Sequence, residues 1–245
     1  MALPAHSTKH IPLLSHSFHG SEFQLAQRSD GISNGTALWL GGQIVSHYLA
    51  QHHQRFSAIS RPRAIELGSG IGLTALALSS LGWDVLATDV RVVLDTVLNE
   101  NIANNSHLGL IETRELDWTV HPEKWAWDDP LSITSPVQNS SEDLLRPPFD
   151  LIVSADTVYD RSLVTPLLRT VHALSEGRRP WVLLCIERRD PALVDCLLQE
   201  ARETWGFSTE RVLTPKLAKC LEKGGVKWDR ADWEGVEVWK MRLRE

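Results

Sequence analysis

Two short stretches of this chain carry residue types that can hold a ligand and work on it. Glu66-Leu67-Gly68-Ser69-Gly70-Ile71-Gly72 places glycines at alternate positions, directly after an apolar run and before a helical pattern that starts at Leu73. Without Cβ atoms, the backbone N–H groups at the head of that helix lie open to close approach. A strand-to-helix turn with no ligand uses the same residues, so the spacing has to discriminate. A dinucleotide fingerprint needs its third glycine after a two-residue gap, but position 73 is Leu and the third glycine falls one residue early, at Gly72. NAD is therefore the weaker ligand. Asp89 closes the next apolar run, where an acid accepts hydrogen bonds from a ribose diol; its plainer reading is a helix cap. The second stretch is Ser154-Ala155-Asp156-Thr157-Val158-Tyr159. Its acid and phenol can orient a basic group and line a passage for a cation, or else cap and pack on a helix beginning near Ser162.

These residues need a frame that brings the ends of several strands together. The apolar pattern predicts strands at Arg63 to Leu67, Asp84 to Asp89, Ile111 to Asp117, Phe149 to Ala155, Trp181 to Ile186, Phe207 to Leu213 and Val236 to Leu243. Helical spacing covers Thr36 to His53, Leu73 to Leu81, Val92 to Asn104, Leu163 to Leu174 and Pro191 to Trp205. Strand and helix alternate, which implies a parallel sheet with right-handed crossovers and ligands at the carboxyl ends of its strands. Residues 1–35 read as an N-terminal extension with a short strand at Phe23 to Ala26 and a turn-rich link at Asp30 to Gly35. Residues 36–245 read as one domain, with a loop of about 121–148, rich in proline, serine and aspartate, inserted into it. Gly224-Gly225 and a hairpin-like stretch separate the last two strands.

The composition narrows the classes. With 245 residues, 42% of them hydrophobic, the chain suits one sizeable core. Acidic residues outnumber basic ones 31 to 25, and no basic tract is present, so nucleic acid is disfavoured as a partner. No run is long and apolar enough to span a bilayer, and Met1 to Phe18 has no continuous apolar segment; no membrane partner is expected. Cys185, Cys196 and Cys220 have the spacing of neither a disulfide framework nor a zinc site. They suit a reducing compartment, with a cytoplasmic location expected and a nuclear one as its variant. The histidines show no metal-ligand spacing, so no metal is assigned. Neither a Gly-x-Ser-x-Gly elbow nor a phosphate loop is present.

The glycine turn with Asp89 resembles the first motif and acidic second-strand end of seven-strand methyltransferases, over roughly residues 36 to 243. Gly35-Thr36-Ala37-Leu38-Trp39, Glu115-Leu116-Asp117-Trp118 and Ser154 to Tyr159 resemble the blocks of the family-16 protein-lysine methyltransferases. That resemblance implies an α/β, Rossmann-like seven-strand sheet, mostly parallel with an antiparallel last strand and helices on both faces. It implies S-adenosyl-L-methionine as cofactor, bound by Trp39, Glu66, Gly68, Ser69, Gly70, Gly72, Asp89, Trp118 and Ala155. Glu66 would organise the turn and reach the methionine amine, and Trp118 would stack near the adenine. It implies a protein substrate with an accessible lysine, elongation factor 1A being the first candidate. The catalytic pair would be Asp156 and Tyr159: Asp156 orienting the amine and helping its proton leave, Tyr159 lining the lysine channel. Trp39 and Trp118 have core packing as their plainer reading in a chain with 10 tryptophans. A small-molecule methyltransferase and a non-catalytic cofactor-binding scaffold are the alternatives on the same fold.

Overall fold

The computed structural model describes residues 2–28, 34–105, 109–136, 141 and 143–245; of the turn-rich link, residues 30–33 lie outside the described residues. The chain opens with a hairpin, β1 (Leu13–Phe18) and β2 (Ser21–Ala26), followed by α1 (Leu40–His52), β3 (Arg63–Leu67), α2 (Leu73–Ser80) and β4 (Asp84–Asp89). Then α3 (Arg91–Val93) runs through a π-helical turn, Leu94–Leu98, into α4 (Asn99–Asn104). The remainder is β5 (Ile111–Glu115), β6 (Leu151–Ala155), α5 (Val164–Ser175), β7 (Trp181–Glu187), α6 (Pro191–Glu203), β8 (Phe207–Arg211), α7 (Thr214–Lys223) and β9 (Val236–Leu243).

Seven strands form one sheet in the order β5-β4-β3-β6-β7-β9-β8. The first five are parallel to their neighbours, and β9 alone runs antiparallel, between β7 and β8. This is the seven-strand architecture expected. Successive residues of the central strands alternate between two apolar layers. Ala64, Val85, Val153 and Leu183 face α1 and α2; Ile65, Leu86, Ile152 and Val182 face α5 and α6. Strands buried on both faces read as unbroken apolar runs, which is why the sequence exposes them. From β3 the chain passes to β4 on one side, and β6 pairs on the other side. The crevice between the outgoing connections is where such sheets take ligands.

Three segments differ from the sequence reading. Where a short strand was expected at Phe23 to Ala26, a full hairpin forms, with Leu14, His16, Phe18, Phe23 and Leu25 on its buried face. Asn101 and Asn105 of the α4 end dock it by treating β2 as a strand partner. Asn101 Oδ1 accepts from Ala26 N at 2.6 Å while its Nδ2 donates to Ala26 O, and Asn105 pairs likewise with Gln24. The hairpin-like stretch before Gly224 is instead the helix α7, entered at Pro215 in its first turn and burying Leu217, Cys220 and Leu221. Finally, α1 starts at Leu40 and not Thr36, because Asn34–Thr36 makes a separate 3-10 turn.

The loop after β5 is fastened from beneath. Arg114, whose side chain is fully buried, donates to the carbonyls of Trp127, at 3.1 Å, and Leu145, and pairs with Glu112 at 3.4 Å. Glu112 in turn accepts from Leu145 N at 3.0 Å. Replacing the guanidinium by an apolar side chain strands two carbonyls and a carboxylate. Arg114→Leu should cost about 3 kcal/mol and lower the melting temperature by roughly 10 °C. A shift within a degree or two in a thermal melt would show that the loop is held some other way.

Candidate active site

The site begins with a helix end that its own sequence leaves uncapped. Trp39 precedes α1 in extended conformation and offers its first turn no side-chain acceptor. Asp156, just past the end of β6, supplies one from 115 residues away: its Oδ2 accepts the Gly41 N–H at 2.5 Å. A Cβ at position 41 would sit 2.6 Å from both carboxylate oxygens, so only glycine admits this approach. Asp156 itself holds φ at +56°, a left-handed conformation that Asp tolerates better than most residues. Its Oδ1 is buried without a partner. Burial pushes the carboxyl up to about 6, opposed by the Gly41 N–H and raised further by Glu187. Asp160, not Asp156 or Tyr159, caps the next helical segment, accepting from Ser162 N at 2.8 Å.

The glycine turn leaves β3 with Gly68 N and Ser69 N both donating to Thr88 O at 2.9 Å. At Gly68, φ is +73° and a Cβ would meet Thr157 at 2.6 Å and the Trp118 ring at 3.4 Å, so sterics and φ both demand glycine. Asp89 ties the turn to β4: Oδ2 accepts from Gly70 N at 2.9 Å, and Oδ1 from Val90 N at 2.8 Å. Burial raises Asp89 to about 6 against those two N–H donors. Glu66 lies deeper, 2% exposed, with Oε2 unpartnered. Burial raises it to about 8, with the Thr74 and Ser69 hydroxyls opposing, so it is mostly protonated at neutral pH.

Three connected spaces result. The main cleft, about 800 Å³ and open to solvent, is lined by Trp39, Gly68, Gly70, Asp89, Trp118, Ala155, Asp156 and Tyr159. A second opening of about 770 Å³ shares Trp39, Asp156 and Tyr159 with it and adds Glu187, Arg189 and Asp190. A small recess of about 340 Å³ reaches Glu66 and Ser69 beneath Trp39. Of the residues singled out in the sequence, Gly72 alone lines none of these spaces; its α-carbon faces Leu98 and Ile102 of the neighbouring helix. Trp118 Nε1 is buried without an acceptor beside the main cleft, as a ring awaiting a polar partner would be. Trp39 is no core aromatic either. Its Nε1 donates to Asn34 O at 2.6 Å, and its ring carries two cations, Lys9 Nζ at 3.6 Å and the Arg189 guanidinium at 4.9 Å.

Sequence reasoning missed Gly41, Asn34 and Lys9. The Gly41-Gly42 pair was the available signal, since two poor helix formers in a first turn call for a packing reason. Nothing local marks Asn34 or Lys9.

The arrangement suits a ligand that is cationic at one end and carries a ribose. Glu66 and Asp156 each keep one buried oxygen uncommitted, and the glycine backbone makes a cradle that side chains would fill. The lysine methyltransferase family profile matches residues 17–201. The protein-lysine methyltransferase METTL21E of Mus musculus is 28% identical over 218 residues, covering 87% of this chain and 81% of that protein. The protein N-lysine methyltransferase METTL21A of Mus musculus is 28% identical over 179 residues, 72% of each. Among solved structures, a methyltransferase from Pyrococcus furiosus superposes with a TM-score of 0.50 at 13% identity, covering 98% of this chain and 93% of that one, a likeness of fold alone.

The raised carboxyls make stability pH-dependent in a defined sense. Between its unfolded value of 4.5 and about 8, Glu66 holds a proton in the folded protein that the unfolded chain has lost, so its contribution disappears as pH rises. Asp89 and Asp156 act in the same direction up to about 6. His16 and His47, lowered by burial from 6.5 to about 4, act oppositely over that lower range. Above pH 6.5 the Glu66 effect stands clear. From there to pH 8 the ligand-free protein should lose on the order of 2 kcal/mol, roughly 5 °C in melting temperature, and Glu66→Gln should flatten the slope. An equal slope in the variant would assign the dependence to other groups.

Proposed function

Because this chain belongs to the lysine methyltransferase family, we propose that it transfers the methyl group of S-adenosylmethionine to a protein lysine, with Asp156 and Tyr159 at the acceptor and the Gly68–Asp89 turn at the donor. The observation that carries the reading is the junction at Trp39 and Asp156, where the main cleft beside the glycine turn meets a second space rimmed by carboxylates. Bound in the main cleft, the sulfonium cofactor supplies a methyl carbon already activated for attack, and the leaving thioether needs no proton. The residues then have to align, desolvate and manage one proton.

Asp89 is set to accept the ribose hydroxyls, the Gly68 and Gly70 backbone to lie along the cofactor, and Trp118 to face its base. Glu66 in its recess would hold the methionine ammonium, and a cation there would favour its ionised form and turn a costly buried acid into one half of an ion pair. On the acceptor side, the opening is lined by Asp156, Glu187 and Asp190 with Arg189 beside them, an acid-rich rim that favours a lysine cation at the mouth. Tyr159, 57% exposed, flanks the opening where the alkyl stem would enter. The free Oδ1 of Asp156 accepts an amine proton and fixes the direction of its lone pair.

The acceptor we favour is a lysine of translation elongation factor 1A in the cytoplasm. Its support is the resemblance of the blocks at Gly35–Trp39, Glu115–Trp118 and Ser154–Tyr159.

Incubation with methyl-labelled cofactor and an unmethylated cell extract, followed by mass spectrometry of labelled peptides, tests both levels. Label on a lysine of elongation factor 1A is expected; label on another protein overturns that acceptor, and label on a lipid or metabolite overturns the protein reading. Asp156→Ala should keep S-adenosylhomocysteine affinity by calorimetry while slowing transfer about 10²-fold or more. Gly41→Ala, which pushes Asp156 aside, should slow transfer by roughly tenfold, despite alanine's better helix propensity. Full turnover in both would remove Asp156 from the mechanism.

A further inference from the structure

Lys9 lies ahead of the family-matched residues 17–201, yet its position is closely built. Gln27, buried, donates from Nε2 to Thr8 O at 2.5 Å and to Ile11 O at 2.7 Å, bracketing Lys9, while its Oε1 accepts from Leu38 N at 3.0 Å. One amide thereby locks the turn at Lys9 to the residue before Trp39. Lys9 Nζ donates to Leu38 O at 2.6 Å and sits 3.6 Å from the Trp39 ring centroid. Trp39 is the one described residue that borders the main cleft, the acid-rimmed opening and the Glu66 recess.

The electrical setting favours a nucleophile over a resting cation. Burial first, and then Arg189, hold the Lys9 amine down to about 8, while Asp156 and Glu187 pull it up. The head of α1 presents its N–H groups to the same region. An ordinary surface lysine is almost wholly protonated at pH 8; this one gives up its proton more readily, next to the Trp39 ring and an aspartate with an uncommitted oxygen.

We propose that Lys9 is an acceptor in its own right, so that the enzyme methylates the ε-amine of Lys9 within the same chain; this rests on the methyl-transfer reading above. To react, the amine leaves the Leu38 carbonyl and swings about its stem past the Trp39 ring, which borders the main cleft. Its lone pair forms the new N–C bond with the methyl carbon of S-adenosylmethionine, the C–S bond breaks, and its electron pair remains on sulfur as a neutral thioether. The methylated ammonium releases its proton to water or to Asp156.

The purified full chain is incubated with S-adenosylmethionine and no other protein, and its peptides are mapped by mass spectrometry. A methyl group on Lys9 is expected, formed at a rate per molecule independent of enzyme concentration, and Lys9→Arg should lower total self-labelling at least tenfold. Unmodified Lys9, or a rate per molecule that climbs with concentration, overturns the proposal. The same preparation is given cell extract in parallel. Labelled extract proteins beside unmodified Lys9 sink this inference alone, whereas no label anywhere sinks the methyl-transfer reading with it. A cofactor-free readout checks the juxtaposition. Pulse acylation of Lys9 against pH should follow a group titrating near 8, and Asp156→Asn should shift that titration lower. A titration in the ordinary lysine range, indifferent to Asp156→Asn, also overturns it.

Discussion

The Asp156 carboxylate reaches from the carboxyl edge of β6 to the bare N–H at the head of α1, and the acceptor side of the site is organised about that bond. It closes a helix that would otherwise start without a cap, and it sets the direction of Trp39, the residue immediately before the helix. Because one oxygen is spent on Gly41, the other is held in a fixed orientation with nothing to bind. A free aspartate would turn both oxygens to water and lose its aim. Here the backbone of α1 does the orienting, and the left-handed φ of Asp156 is the local strain accepted for it. That bond also explains the glycine at position 41 in the first turn of a long helix. Gly41 is required by the carboxylate, at a cost in helix propensity of about 1 kcal/mol that the tertiary contacts of α1 offset.

Electrostatics and geometry point the same way. Three carboxyl groups, Glu66, Asp89 and Asp156, are raised by burial within one crevice, and the ligand-free protein bears that burden at every turnover. Structural acids are usually paired or exposed; acids kept buried with spare acceptor capacity are characteristic of sites that await a positive or hydroxyl-bearing group. The cofactor brings a sulfonium, an ammonium and a diol, and the acceptor brings an amine. In the proposed reading the ammonium would meet Glu66, the diol Asp89 and the acceptor amine Asp156. The family assignment and the crevice chemistry are thus independent arguments that agree, one resting on residues 17–201 as a pattern and the other on three side chains and their surroundings.

The parts of this molecule legible in the sequence are those written locally. The parallel strands appear as apolar runs because they are buried on both faces, and the glycine turn appears because its φ angles admit little else. The strand at Phe23 to Ala26 was legible, but its hairpin partner β1 was hidden by composition. Its inner face reads Leu14, His16, Phe18, so a histidine at a buried position breaks the alternation that marks a strand. Helix α7 was masked differently: the Gly224-Gly225 pair reads as a turn between strands, although a glycine past the end is ordinary helix punctuation. Contacts across the chain left no local trace. Asp156 with Gly41, Lys9 with Trp39 and Arg114 with Leu145 each join residues that only the folded sheet brings together.

Asp89 is oriented by the backbone on both sides of the cleft edge. Each of its oxygens already accepts one backbone N–H, from Gly70 and from Val90. A carboxylate oxygen has two lone-pair directions, so one on each oxygen remains, and with the first pair committed to fixed backbone the remaining two cannot rotate away. Two vicinal hydroxyls need a matched pair of acceptors held at fixed separation, which is what is left. A helix-capping aspartate would have its oxygens directed to N–H groups two or three residues onward; here one goes back to the glycine turn and binds β4 to the cradle. The same hydrogen bond that orients the carboxylate therefore also fixes the height of Gly70 beside the cleft. In the proposed reading, one residue would thus serve both the diol and the backbone cradle.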